Sequence, residues 1–141
     1  MPVGALDLQA SFTGKWFQGK WRAELGTSRS IAWLELFPIV VALVLWCHLL
    51  KGKRIVLRSD NDTVVKVLNK QSSKCPRIMK LVRFLVLQCL KYNVLFCARH
   101  IPGTNNNIAD ALSRFQMERF RKAAPQADST GTPIPEFVWV I

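Results

Sequence analysis

The run from Ser30 to Leu50, SIAWLELFPIVVALVLWCHLL, constrains this chain more than any other stretch. Ser30 can cap a helix. Almost every residue after it is apolar, with one carboxylate, Glu35, set among them. A helix that is apolar on all sides must be buried on most of them, in a bilayer or in a protein core. An ionised carboxylate placed there costs several kcal/mol unless a cation or a donor answers it. Glu35 is therefore either neutralised or turned toward a cationic site, and the second reading fits the rest of the chain.

The run is long enough for a membrane span, and Lys51, Lys53 and Arg54 follow it as positive flanks would. Glu35 and Pro38 inside it and His48 near its far end argue for a core helix instead. No second run of this kind follows. An internal position without a basic leader is not what a signal peptide shows.

A length of 141 residues, half of them apolar, suits one domain with a tail and a core of its own. The net charge of +11 points to a phosphate-bearing partner, with an anionic membrane surface as the competitor. Cys47, Cys75, Cys89 and Cys97 show neither CxxC nor a paired spacing with histidine. They read as reduced core residues of an intracellular protein, cytoplasmic or nuclear, not as a disulfide framework or zinc site.

Residues 1–29 alternate loosely around Phe12, Trp16, Phe17 and Trp21, with Gly14 and Gly19 as punctuation, which predicts antiparallel hairpin strands. After Gly52, Arg54 to Arg58 reads as a short buried strand. Ser59, Asp60, Asn61 and Asp62 precede a helix over Thr63 to Asn69. Asp62 is explained as a residue of the helix start, whereas Asp60 stands at the carboxyl end of a strand, where open α/β sheets place ligands. Pro76 opens a further helix whose Ile78, Leu81, Val82, Leu85 and Cys89 form an apolar stripe. Lys66, Lys70, Lys74, Arg77, Lys80 and Arg83 give this half of the chain a surface of one charge sign. A solvated face does not require that, and phosphate contact is the reading it favours.

Val94 to Arg99 predicts another strand, closed by His100. A loop with Pro102 and Gly103 leads to Asn106 or Asn107 as the cap of a helix running from Ile108 to about Met117. Asp110 falls in its first turn, where the helix dipole also favours an acid. Residues 121–135 read as a linker and Glu136 to Ile141 as a short apolar end. The boundaries are thus a domain over 1–118 and a flexible tail over 119–141. Glu35, Asp60 and Asp110 converging on one point would repel one another unless a divalent cation lay between them, and an all-oxygen site suits Mg²⁺ or Mn²⁺.

Glu35 in SIAWLELFPIV, Asp60 in LRSDNDTVV and the segment HIPGTNNNIADALSR resemble, in that order, the ribonuclease H domain of retroelement polymerases. The likeness is to tyrosine-recombinase retrotransposons of the DIRS kind. It covers about residues 4–125, and GxxNxxADALSR is its most specific part. The resemblance implies an α/β fold, a five-stranded mixed sheet with helices on both faces. It also implies hydrolysis of the RNA strand of an RNA–DNA hybrid by two metal ions. Glu35, Asp60 and Asp110 match three of the family's metal-binding acids, His100 its mobile histidine and Asn106 its loop asparagine. For His100 the alternative is a strand-end residue hydrogen-bonded to a loop. Reverse transcriptase and recombinase domains of a parent polyprotein are further partners that the resemblance implies.

One departure is large. The family's first acid lies in a pattern like DxSGxxGxGA, and Gly4, Ala5 and Ala10 fit its later part. Counting back places the aspartate at Met1 or beyond, and Asp7 and Gln9 occupy turn-glycine places. The expectation is a truncated first strand and impaired hydrolysis. Two other readings compete: a non-catalytic basic nucleic-acid-binding module, and a small membrane-anchored protein using residues 31–50.

Overall fold

The computed structural model describes residues 30–102, 111, 116–128 and 132–140. The hairpin strands expected over 1–29, with Asn106, Asn107 and Asp110, lie outside them. Helix α1 spans Ile31–Trp46 and tightens into a 3-10 turn over Cys47–Leu50. Strand β1 (Arg54–Ser59), helix α2 (Asp62–Lys70), helix α3 (Pro76–Lys91) and strand β2 (Leu95–His100) follow. A short helix α4 spans Met117–Ala123, and a last 3-10 turn spans Glu136–Val140.

The strands pair in parallel, from Arg54 opposite Leu95 to Ser59 opposite His100. Parallel neighbours require a long crossover, and α2 and α3 supply it. The described part is thus an α/β arrangement with helices on the face carrying Ile55, Leu57, Phe96 and Ala98.

Each helix starts where local chemistry allows. The Ser30 hydroxyl accepts from the Trp33 N–H at 3.2 Å, and the Asn61 side chain accepts from the Val64 N–H at 3.1 Å. Asn61 is therefore the cap of α2, and Asp62 sits in its first turn, where the dipole favours it. Pro76 occupies the start of α3, where its missing N–H costs nothing. Gly52 takes a left-handed φ of 75° between the 3-10 turn and β1, a conformation that favours glycine.

Ile31–Leu50 is long and apolar enough to cross a membrane, yet 67% of its most apolar window is buried inside the protein. Phe37, Val40, Val41 and Leu43 of α1 pack with Leu68 of α2 and with Leu81 and Leu85 of α3 in one core. Val138 is also buried there, and Trp139 packs against it. The boundary placed after residue 118 falls inside α4, which holds together around Phe120, buried with Ala111. Residues 121–123, read as the start of a linker, are helical because Phe120 is buried and Arg121 and Lys122 lie in the last turn, where cations are favoured.

The outer edge of β2 is satisfied by a side chain. Asn69 donates from Nδ2 to the Ala98 carbonyl at 2.9 Å, and its Oδ1 accepts from the Ala98 N–H at 2.8 Å. It mimics a neighbouring strand for one residue, closing an edge that would otherwise be open for pairing. Asn69→Ala leaves both groups of Ala98 without this partner. The expected loss is about 1–3 kcal/mol in urea unfolding, and an unchanged midpoint would contradict the edge-closing role.

The cysteines divide. Cys47 and Cys89 are buried, whereas Cys75 and Cys97 are exposed, so two of the four are not core residues. Cys97 alternates onto the outer face of β2, and Cys75 precedes α3. Burial pushes the Cys89 thiol up to about 12, and the adjacent Cys47 adds to the shift. Thiolate is the reactive form. An alkylating reagent at mildly alkaline pH is therefore expected to modify Cys75 and Cys97 in the folded chain and Cys47 and Cys89 only in denaturant. Rapid labelling of Cys89 without denaturant would contradict this packing.

Candidate functional site

Asp60 lies immediately beyond β1, at the carboxyl end of the parallel pair. A short turn presents it: the Ser59 hydroxyl, on a buried residue, accepts from the Asn61 N–H at 3.1 Å. Ser59 was not singled out in the sequence, although Ser-Asp-Asn is the composition such serine turns use. The Asn61 cap then starts α2, so the chain on both sides of Asp60 is fixed.

His100 ends β2 opposite Ser59. Its Nε2 is 3.1 Å from the Asp60 carbonyl oxygen. A carbonyl only accepts, so Nε2 carries the proton. This is the strand-end hydrogen bond that offers the plain structural account of His100. It also places the imidazole next to Asp60. The Ile101 N–H donates to the Ser59 carbonyl at 2.9 Å, which extends the pairing past the strand ends.

Glu35 approaches from α1. Burial raises its pKa above the usual value, and the nearby Asp60 charge raises it further. The first cause reflects the apolar helix that carries Glu35; the second puts two carboxylates from distant parts of the chain in one electrostatic neighbourhood. Glu35 remains exposed on its outer side, so water, a proton or an ion can reach it. Both groups offer carboxylate oxygens, the donor type that hard divalent cations take. Among the described residues no three His, Cys, Asp or Glu side chains group as a metal site. Asp110, the third carboxylate singled out, lies outside those residues.

The cations form a second feature. Lys66 and Lys70 are exposed one turn apart on α2, and Lys74 is exposed in the connection to α3. Arg77, Lys80 and Arg83 follow at a spacing of three along α3, away from its buried stripe of Ile78, Leu81, Val82, Leu85 and Cys89. All six are on the surface, and within each helix they share a side.

Comparison with protein-family models, curated proteins and solved structures found no match.

Proposed function

We propose that this chain is a retroelement-derived ribonuclease H-like domain that engages RNA–DNA hybrids. Its sheet would be completed by strands of the N-terminal segment into a larger mixed sheet. The observation that carries the reading is the electrostatic influence of Asp60, just beyond the carboxyl end of a parallel strand, on Glu35 of the first helix. The order of motifs through Asp110 supports it.

In this reading Glu35 and Asp60, with Asp110 as third acid, hold Mg²⁺ or Mn²⁺. When bound, such ions lower the pKa of a water and stabilise charge at a phosphate. The chain's own residues orient and bind: the Ser59–Asn61 turn holds Asp60, His100 braces it, and the cations of α2 and α3 follow the nucleic-acid backbone. No aspartate of this sequence stands in the place of the family's first acid. The proposed setting is intracellular, beside reverse transcriptase and recombinase domains, without membrane insertion.

The test is cleavage of a labelled RNA–DNA hybrid in Mg²⁺ by this chain and by one extended upstream with the first strand and its aspartate. Faster cutting by the extended chain is expected; an intact hybrid with both folded chains would contradict the reading. A second reading, a non-catalytic binding module, is favoured by the six exposed cations. It requires hybrid binding that survives Glu35→Gln and weakens with added salt. Losing a phosphate contact through Lys80→Gln or Arg83→Gln should make the salt dependence shallower by about 0.9 per contact on a duplex.

A further inference from the structure

We infer that the outer face of the two-stranded sheet is a binding surface for single-stranded nucleic acid, independent of the carboxylate site. Parallel register puts Arg54 beside Leu95, Val56 beside Cys97 and Arg58 beside Arg99. Side chains alternate along a strand, so these six share the side opposite the buried Leu57 and Ala98. All six are exposed, Val56 at 42% and Leu95 at 59%.

The charges on this face are all positive. Arg54, Arg58 and Arg99 have no ion-pair or hydrogen-bond partner for their side chains among the described residues. Arg58 and Arg99 are direct neighbours on adjacent strands about 4.8 Å apart. Like charges so placed repel. A phosphate between them removes that repulsion and accepts from both guanidinium groups. Arg54 lies four residues before Arg58, about 13 Å along the strand, far enough to meet a different phosphate of an extended chain.

The apolar residues between the arginines choose the partner. A duplex keeps its base faces stacked inside and offers a protein mainly phosphates and groove edges. A single strand offers exposed base faces as well, which can make apolar contact with Val56 and Leu95 while the arginines hold its backbone. An acidic protein or an anionic bilayer would satisfy the charge, and these are outcomes of the test.

The experiment measures anisotropy of a fluorescein-labelled oligothymidylate with the full chain over a range of salt. In the triple variant Arg54→Gln, Arg58→Gln, Arg99→Gln, affinity should fall at least about tenfold. The slope of log affinity against log salt should become shallower by about 2, at about 0.7 for each lost single-strand contact. Leu95→Glu, at an exposed site, should weaken binding too, and it decides the matter if the triple variant does not fold by circular dichroism. A control triple, Lys51→Gln, Lys53→Gln, Lys91→Gln, removes the same net charge from exposed sites off this face and outside the cations assigned to α2 and α3, and should cost less. Equal loss in both triples, unchanged binding in the sheet variants, or binding to phosphatidylserine vesicles and not to the oligothymidylate would each overturn the inference.

Discussion

Asp60→Asn is expected to lower hydrolysis of an RNA–DNA hybrid by about 10²–10³-fold, the range seen when one electrostatic stabiliser is removed. The comparison is best made in the upstream-extended chain, where the higher starting rate is expected. The substitution keeps the shape of the side chain and the Ser59–Asn61 turn, so the fold should be unchanged by circular dichroism. It removes the Asp60 charge that acts on Glu35. Equal rates for the extended chain with and without Asp60→Asn would separate Asp60 from the chemistry.

The same substitution has a signature that does not depend on turnover. Asp60 raises the pKa of Glu35, so Asp60→Asn should lower it. The sign for stability follows. Glu35 holds its proton more tightly when folded than when unfolded, where its value is near 4.5. Folding is therefore favoured by this group below about pH 4.5, and that contribution is lost as pH rises through the folded pKa. Subtracting the unfolding free energy of Glu35→Gln from that of the unmodified chain should reveal this decline toward neutral pH. A difference that is flat with pH, or rises, would contradict the shift.

Phe37→Ala carries the largest expected cost in stability. Phe37 is 1% exposed, stacks on Trp33 with ring centroids 5.0 Å apart and meets Trp139 at 5.5 Å. Truncating a buried phenylalanine costs about 3–5 kcal/mol through lost transfer energy and the cavity left behind. It also removes the aromatic contact that ties the C-terminal turn to the first helix. Urea unfolding followed by tryptophan fluorescence should show both effects: an earlier midpoint and a changed native signal from Trp33 and Trp139. A loss below about 1 kcal/mol would mean that Phe37 is not a centre of the core.

Local chemistry explains why several elements were readable from sequence. The apolar run after Ser30, the aliphatic stretch after Gly52, the Asn61 cap and Pro76 each act within a few residues, and the helices and strands begin where these signals fall. What was not readable depends on distant partners. Asn69 looks like an ordinary helix-end polar residue until β2 is laid beside it. Cys97 sits in an apolar stretch that suggests burial, but alternation turns it outward. α4 is a seven-residue helix that persists around one buried phenylalanine, too short for a periodic pattern to register.

The candidate site follows the same division. Glu35 stood out because a lone carboxylate in an apolar helix needs an answer, and Asp60 because of its place at a strand end. The influence of Asp60 on Glu35 arises only in the folded chain. So is the bond from His100 to the Asp60 carbonyl, which joins residues 40 positions apart. Asp110 was legible only as a first-turn acid within a recognisable motif.

The most direct test of the central claim is a Mn²⁺ titration of isotopically labelled protein followed through its amide resonances. Glu35 and Asp60 acting together on one cation predict selective paramagnetic broadening around Glu35, Asp60 and His100 at low Mn²⁺, greatly weakened by Asp60→Asn. Broadening that ignores these residues, or that persists unchanged in the variant, would contradict it.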